Sequence, residues 1–257
     1  GGGMYNIRCS ARLLSVTFSD NQATDGGGMY NFGGAPVLTN VVFVRNSAVG
    51  DGGGMNNDVS DTQLSSVYFV SNTAHMDGGG MYNDKSAPTL DGVSFQECQA
   101  RHGGAMYNRS DSSPRLTNVE FRGNRATALG GGMYSSDSDP TLANVSFVGN
   151  KATSGGATYN EAAEIYVVNA TFGGNLAALM GGAVYNEDSS PVLVNCVVWG
   201  NSALTSTQLH NAGNSAPYII FSDIQEGHPG EGNIDQDPAF VDVISASAAP
   251  TTTGDYH

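Results

Sequence analysis

The chain is poor in most of what marks a familiar protein class. Charged residues are 13% of 257, and only 10 are Lys or Arg against 24 Asp or Glu, a formal net charge of −14. A surface that acidic repels phosphate backbones, so nucleic acid is not expected as a partner. Cysteine is represented by Cys9, Cys98 and Cys196 alone. An odd count without close spacing is neither a disulfide framework nor a zinc signature. No apolar run is long enough for a transmembrane helix. Apolar residues spaced for a helix face do not recur over any useful length, and Gly, at 35 residues, shows no period of three, which excludes collagen.

What is present is a repeat. Gly26-Gly27-Gly28-Met29-Tyr30-Asn31 recurs at residues 1–6, 52–57, 78–83, 103–108, 130–135, 155–160 and 181–186, with a worn copy at 207–211. The Tyr position advances by 25 to 27 residues at every step. A fixed period in this range denotes a solenoid. A second half-repeat follows each Gly motif, as in Pro36-Val37-Leu38-Thr39-Asn40-Val41-Val42-Phe43-Val44-Arg45-Asn46.

Aligned by period, the copies form columns. One begins Leu13, Leu38, Leu64, Leu90. Another runs Val16, Val41, Val67, Val93, and a third Phe18, Phe43, Phe69, Phe95. An unbroken Ala column starts at Ala23 and reaches Ala203. Leu38 alternates with Thr39, whereas Val41 and Phe43 share the other parity, so the chain bends at Asn40. Each copy therefore reads as roughly three short strands. One such coil cannot bury its apolar face alone, but stacked coils place Phe on Phe. The spacing predicts an all-β fold: a single right-handed parallel β-helix of about nine coils of 25–26 residues, about 38 Å long at the strand spacing. Asn columns, Asn21 to Asn201 interrupted by Cys98 and Asn40 to Asn195, suit bends and axial amide stacking. Met is expected to point inward and Tyr outward or toward a partly wet corner.

Coils occupy residues 1–211. Residues 212–257 hold a last partial coil, a segment (233–242) expected to cover the open end, and an Ala-, Ser- and Thr-rich tail expected to be poorly ordered. The chain opens within a repeat and stops within its closing segment, so both native flanks are expected to lie outside it.

The pairing of Gly-Gly-Ala-apolar-Tyr, as in Gly181-Gly182-Ala183-Val184-Tyr185, with Phe-x-x-Asn, as in Phe147-Val148-Gly149-Asn150, resembles the repeats of chlamydial polymorphic outer membrane proteins. It is also similar to bacterial secreted right-handed β-helix proteins, as is Asn233-Ile234-Asp235-x-Asp237-Pro238-x-Phe240-Val241-Asp242. The resemblance implies an extracellular or cell-surface location and implies no catalytic residues.

Three groups of residues are candidate sites. Asp25, Asp51 and Asp77 each precede a Gly triplet, and stacking brings them within ~5 Å of one another, a calcium-type oxygen column or three solvated carboxylates. Arg101, Arg109, Arg115, Arg122, Arg125 and Lys151 concentrate most of the positive charge in two or three coils. With Asp111, Glu120 or Asp137 nearby, they could contact an acidic polysaccharide or serve a lyase-like site, or simply balance charge. The Tyr column, including Tyr82, Tyr107 and Tyr134, could form an aromatic ladder for sugar rings or stack internally. An ice-binding face is excluded by the mixed column Val37, Thr89, Arg115, Thr141. The three cysteines lie in different columns, with Cys98 and Cys196 ~19 Å apart, and are expected to be free and mostly buried. The sequence thus supports a non-enzymatic stalk, adhesin or binding rod of a larger surface protein. A carbohydrate-active enzyme or glycan-binding module using residues 101–151 is the alternative.

Overall fold

In a computed structural model, described for residues 1–256, successive coils stack their strands into three parallel sheets. The first sheet stacks nine strands of the Met-Tyr-Asn motif, from Met4–Ile7 to Leu209–Ala212, each in register with the next (Met29↔Met55, Met81↔Met106). The second unites the Leu and Phe columns in fifteen strands, and the third holds seven short strands built on the Ala column. The early coils use four strands rather than three. The Leu and Phe strands are separate there and fuse only in Arg115–Arg122, Thr141–Val148 and Tyr166–Gly173. The bend inferred at Asn40 is a positive-φ residue (φ 53°), and Asn118, Asn144, Asn169 and Asn195 repeat it. Asn suits this position because it visits the left-handed region at lower cost than most residues.

The core lies between the sheets. Phe43, Phe69, Phe95, Phe121, Phe147 and Phe172 are at most 2% exposed, and successive rings from Phe18 onward stack at 4.6–5.1 Å. Met29, Met55, Met81, Met106 and Met133 point inward, as the apolar substitutes in their column require. Burying each such side chain contributes roughly 1.5–3 kcal/mol, so repetition of a thin coil supplies a core that no single coil could.

Two glycines of each triplet have separate duties. The first turns the corner at positive φ (Gly26 59°, Gly52 67°, Gly78 65°). At the second, an added Cβ would run into the carbonyl oxygen of the neighbouring coil, as Gly53 would against Gly79. The third faces the Phe stack and admits Ala, as in Ala105, Ala157 and Ala183.

Two buried amide ladders run the length of the rod. In one, Asn46 Nδ2 donates to the Phe18 carbonyl and to Asn72 Oδ1, while its own Oδ1 accepts from the Asn21 backbone N–H. Those backbone partners fix which end of each amide points where. The pattern recurs through Asn124, Asn150, Asn175 and Asn201. In the other, Asn6, Asn31, Asn57, Asn83 and Asn108 each donate to the next member at 2.7–3.3 Å. Ser135 interrupts that ladder, which resumes through Asn160, Asn186 and Asn211.

The far end of the rod is closed only by the first part of the segment expected there. Residues 231–234 add a partial rung, with Phe221 N–H on the Glu231 carbonyl and Ile224 N–H on the Ile234 carbonyl. Most of residues 235–243 is exposed, including Val241 and Val243.

The tail departs from expectation, because it is ordered against the rod. It turns back along the outside of the second sheet, burying Ala246, Ala249 and Tyr256. Thr251 N–H donates to the Gly149 carbonyl, and Arg122 Nη1 donates to the carbonyls of Thr252 and Gly254. Its seat is a column of glycines at a left-handed corner: Gly123, Gly149 and Gly174 (φ 60–63°). The same corner carries Asp20, Arg45, Ser71 and Glu97 in the earlier coils, and Gly200, clear of the tail, in the coil that follows. A Cβ at Gly123 would lie 2.9 Å from Thr251, and one at Gly149 or Gly174 would meet Thr251 or the Tyr256 hydroxyl. Glycine is needed there for space, since other residues accept the same φ.

Candidate functional site

The outer face of the first sheet carries the Tyr column between two polar rows. Of the two readings of this column, an open ladder or internal stacking, the rings stack on one another on the outer face. Tyr82, Tyr134, Tyr159 and Tyr185 are 5–8% exposed and Tyr107 is half-buried, whereas Tyr5 is exposed. Adjacent rings pack at 4.4–5.4 Å, with Leu129, Met180 and Ala212 against them in the later coils. Their hydroxyls find acidic neighbours one coil on: Tyr30 donates to Asp58 Oδ2 (3.2 Å), Tyr134 to Glu161 and Tyr159 to Glu187. Burial, followed by these carboxylates, raises the phenol pKa, to about 12 for Tyr30. In these rings the faces are taken up by one another, and each stacked pair adds about 0.5–1.5 kcal/mol to the cohesion of neighbouring coils.

The acid column is also bonded along the axis. Asp25 Oδ1 accepts the Asp51 backbone N–H (2.9 Å), Asp51 Oδ1 accepts that of Asp77 (3.1 Å), and Asp77 Oδ1 pairs with His102 Nδ1 (2.8 Å). Asp51 holds its proton more tightly than a free aspartate. Burial, then the Asp77 and Asp25 charges, push it up to about 6 against the backbone hydrogen bond from Asp77 and the Arg109 charge. Among the described residues no group of three or more His, Cys, Asp or Glu side chains is arranged to hold a metal ion. In the later coils Leu129 and Met180 succeed the aspartates in this column.

The basic residues, close in sequence, are dispersed around the rod. Arg122 is partly buried (side chain 15% exposed), pairs with Glu120 and anchors the tail. Arg115 is exposed on the second sheet between Thr89 and Thr141. Arg109 lies beside the Tyr column, donating to the Tyr82 hydroxyl and 3.8 Å from Asp84. Arg125 and Lys151 are register neighbours on the third sheet, and Arg101 is one coil before Arg125, two residues along from Gln99, the Arg125 partner. The fold therefore brings Arg101, Arg125 and Lys151 to one face and separates Arg115 and Arg122 from them.

That face is the outside of the third sheet. Its Ala column points inward, leaving a trough of about 530 Å³ between two outward columns: Ser47, Thr73 and Gln99 on one side, Val49, His75 and Arg101 on the other. By register the first wall continues through Arg125 and Lys151. The columns were visible in the sequence, but a list of nearby basic residues hid which of them share a side. Asp111, Glu120 and Asp137 do not complete a catalytic group there: Asp111 and Asp137 stack on each other at another corner, and Glu120 is held by Arg122.

Cys98 and Cys196 are buried and Cys9 is exposed; all three are free. Cys98 occupies a position of the first Asn ladder, and burial pushes its thiol up to about 12.

Fold and ladders together define a parallel β-helix repeat protein. Residues 144–161 match the family described as Chlamydia polymorphic membrane protein (Chlamydia_PMP) repeat. That stretch spans one Phe-x-x-Asn element and the Gly-Gly-Ala-x-Tyr element after it, and the remaining coils repeat the same pair. The chain is thus a PMP-like β-helical repeat protein. No curated protein and no solved structure matches it. No helix among the described residues is long and apolar enough to cross a membrane.

Proposed function

We infer that this chain is a non-enzymatic, extracellular β-helical segment of a larger secreted or cell-surface protein, acting as a rod that carries binding surface. The observation behind this reading is the dispersal of the candidate chemical groups. Arg115, Arg122 and the Arg101–Arg125–Lys151 set face different ways, Glu120 and the acid column are held in structural bonds, and Tyr82, Tyr134, Tyr159 and Tyr185 are covered. Catalysis needs acid, base and electrophile within reach of one reacting atom. The repeat match supports an outer-membrane-associated setting. A stalk or adhesive role follows from a smooth rod whose faces repeat along its axis.

Two measurements test this. Antibody against the segment should label intact, unpermeabilised cells; labelling only after lysis refutes the surface location. Incubation with acidic and neutral polysaccharides, with and without calcium, should release no product; turnover lost on Arg125→Ala would place the chain among carbohydrate-active enzymes. The same calcium series tests Asp25, Asp51 and Asp77, since a melting temperature that rises with calcium and falls with chelator would make the column a cation site that stiffens the rod.

A further inference from the structure

We propose that the trough on the third sheet binds an anionic polysaccharide, laid along the rod axis with its carboxylate or sulfate groups on Arg101, Arg125 and Lys151. This deepens the reading of the chain as a binding rod and rests on it. Three observations carry the assignment. First, these cations are available: Arg101 and Arg125 are exposed, Lys151 half-exposed, and none makes an ion pair or side-chain hydrogen bond among the described residues. On a chain with ten basic residues and a net charge of −14, three free cations on one face mark the place where an anion is least repelled. Second, they stand on three successive rungs: Arg101 lines one wall of the trough, and Arg125 and Lys151 continue the line of the other wall past Gln99 by register. A charge on every rung, at about the 4.8 Å strand spacing, is comparable to the rise per sugar in an extended glycan bearing one acid group per residue. Third, one wall of the trough offers neutral hydrogen-bonding groups, Ser47, Thr73 and Gln99, with His75 on the wall opposite. Hydroxyl-rich rings need such partners, and an aromatic ledge is not required.

The surroundings limit the length bound. Glu97, bonded to the Ser71 hydroxyl, and Pro250–Thr252 of the tail border the Arg125 corner, and Asp77 beside His102 lies past Arg101. Beyond Lys151 the wall becomes Leu176. A short stretch of chain is therefore held, between the acidic groups Glu97 and Asp77 that border it.

The test uses the full chain with four probes: a polygalacturonate oligomer, a heparin oligomer of similar length, polyglutamate as a non-sugar polyanion, and neutral dextran. Binding is followed by calorimetry at two salt concentrations. One or both anionic oligomers should bind, more weakly at higher salt, and dextran should not; which of the two binds distinguishes carboxylate from sulfate recognition. Arg101→Gln, Arg125→Gln and Lys151→Gln together should weaken binding about ten-fold or more, whereas Arg115→Gln, on the second sheet, should not change it. All four side chains are surface groups, and unchanged circular dichroism confirms intact coils. No binding by either oligomer, equal loss with Arg115→Gln, or equal retention of polyglutamate overturns the proposal. Those outcomes leave surface labelling and the absence of turnover untouched. Binding accompanied by turnover would instead refute the non-enzymatic reading and keep the trough.

Discussion

Replacing Ser135 with Asn should make the protein more stable, although the change introduces a larger polar group into a fully buried site. Ser135 takes the place of an amide in the ladder that runs from Asn6 to Asn211. It receives the Asn108 Nδ2 at 3.3 Å, longer than the other links of 2.7–2.9 Å, and it passes no bond on. As a result Asn160 Oδ1 is buried without a partner among the described residues. Leaving a buried acceptor unpaired costs ~1–3 kcal/mol. An Asn at 135 in the conformation of its column neighbours would donate to Asn160 Oδ1 and shorten the bond from Asn108. Adding both effects and subtracting the entropy of fixing one amide side chain leaves an expected gain of about 1–2 kcal/mol. The reverse change, Asn83→Ser, should cost about the same, since it removes one link and orphans Asn108 Oδ1. Urea unfolding of the three proteins, monitored by circular dichroism, measures the difference at constant slope. A Ser135→Asn protein no more stable than the parent, alongside a destabilised Asn83→Ser, would show that the ladder does not behave as a chain of equivalent links, and would refute the argument.

Cys98→Asn should mend the other ladder. Asn72 N–H and amide now meet sulfur, and the thiol lies 3.6 Å from the Phe69 carbonyl, so an increase of about 1–2 kcal/mol in urea is expected; in the parent, native thiol labelling should reach Cys9 and spare the other two. For Asp51, the folded group is protonated more readily than the unfolded one, so the stability present below the unfolded value near pH 4 is lost as pH rises through about 6. Asp51→Asn keeps an oxygen for the Asp77 N–H and should flatten that loss, leaving the variant about 1–2 kcal/mol more stable at pH 7 once partial exposure is allowed for. Gly149→Ala carries the strain of positive φ in any case and should cost more while the tail is docked: in a chain ending at Val243 its effect should fall by about 1–2 kcal/mol, and equal effects in both backgrounds would refute steric seating of the tail.

The repeating part of this architecture was readable because each column states its environment nine times over. Met, Leu, Val and Phe are apolar in nearly every copy, and Asn recurs where a bend and an axial bond are both needed, so one errant residue such as Cys98 does not obscure the rule. Tyr was less legible. Its substitutes Asn56 and His210 are polar, which suggests water, but the deciding fact is lateral: Leu129, Met180 and the acidic row cover the rings from neighbouring columns. The tail was missed for a different reason. It has no period, and its docking depends on the surface that receives it. A signal for that surface did exist in Phe121-Arg-Gly-Asn, Phe147-Val-Gly-Asn and Phe172-Gly-Gly-Asn, where glycine replaces the Asp20, Arg45, Ser71 and Glu97 of earlier coils. Among the basic residues, the column index rather than sequence distance separates Arg101, Arg125 and Lys151 from Arg115 and Arg122.

The buried amides give the rod a direction. Along both inner ladders each Asn donates toward the following coil and accepts from the preceding one. On the outside, Asn144, Asn169 and Asn195 donate the other way. Every coil thus has an accepting face and a donating face at fixed places in its cross-section. A coil stacked upside down would set nitrogen against nitrogen in the dry interior, at several unpaired groups per junction. Length can therefore change by whole coils added in one sense only, and two such rods brought together by like ends would find no match in their interiors.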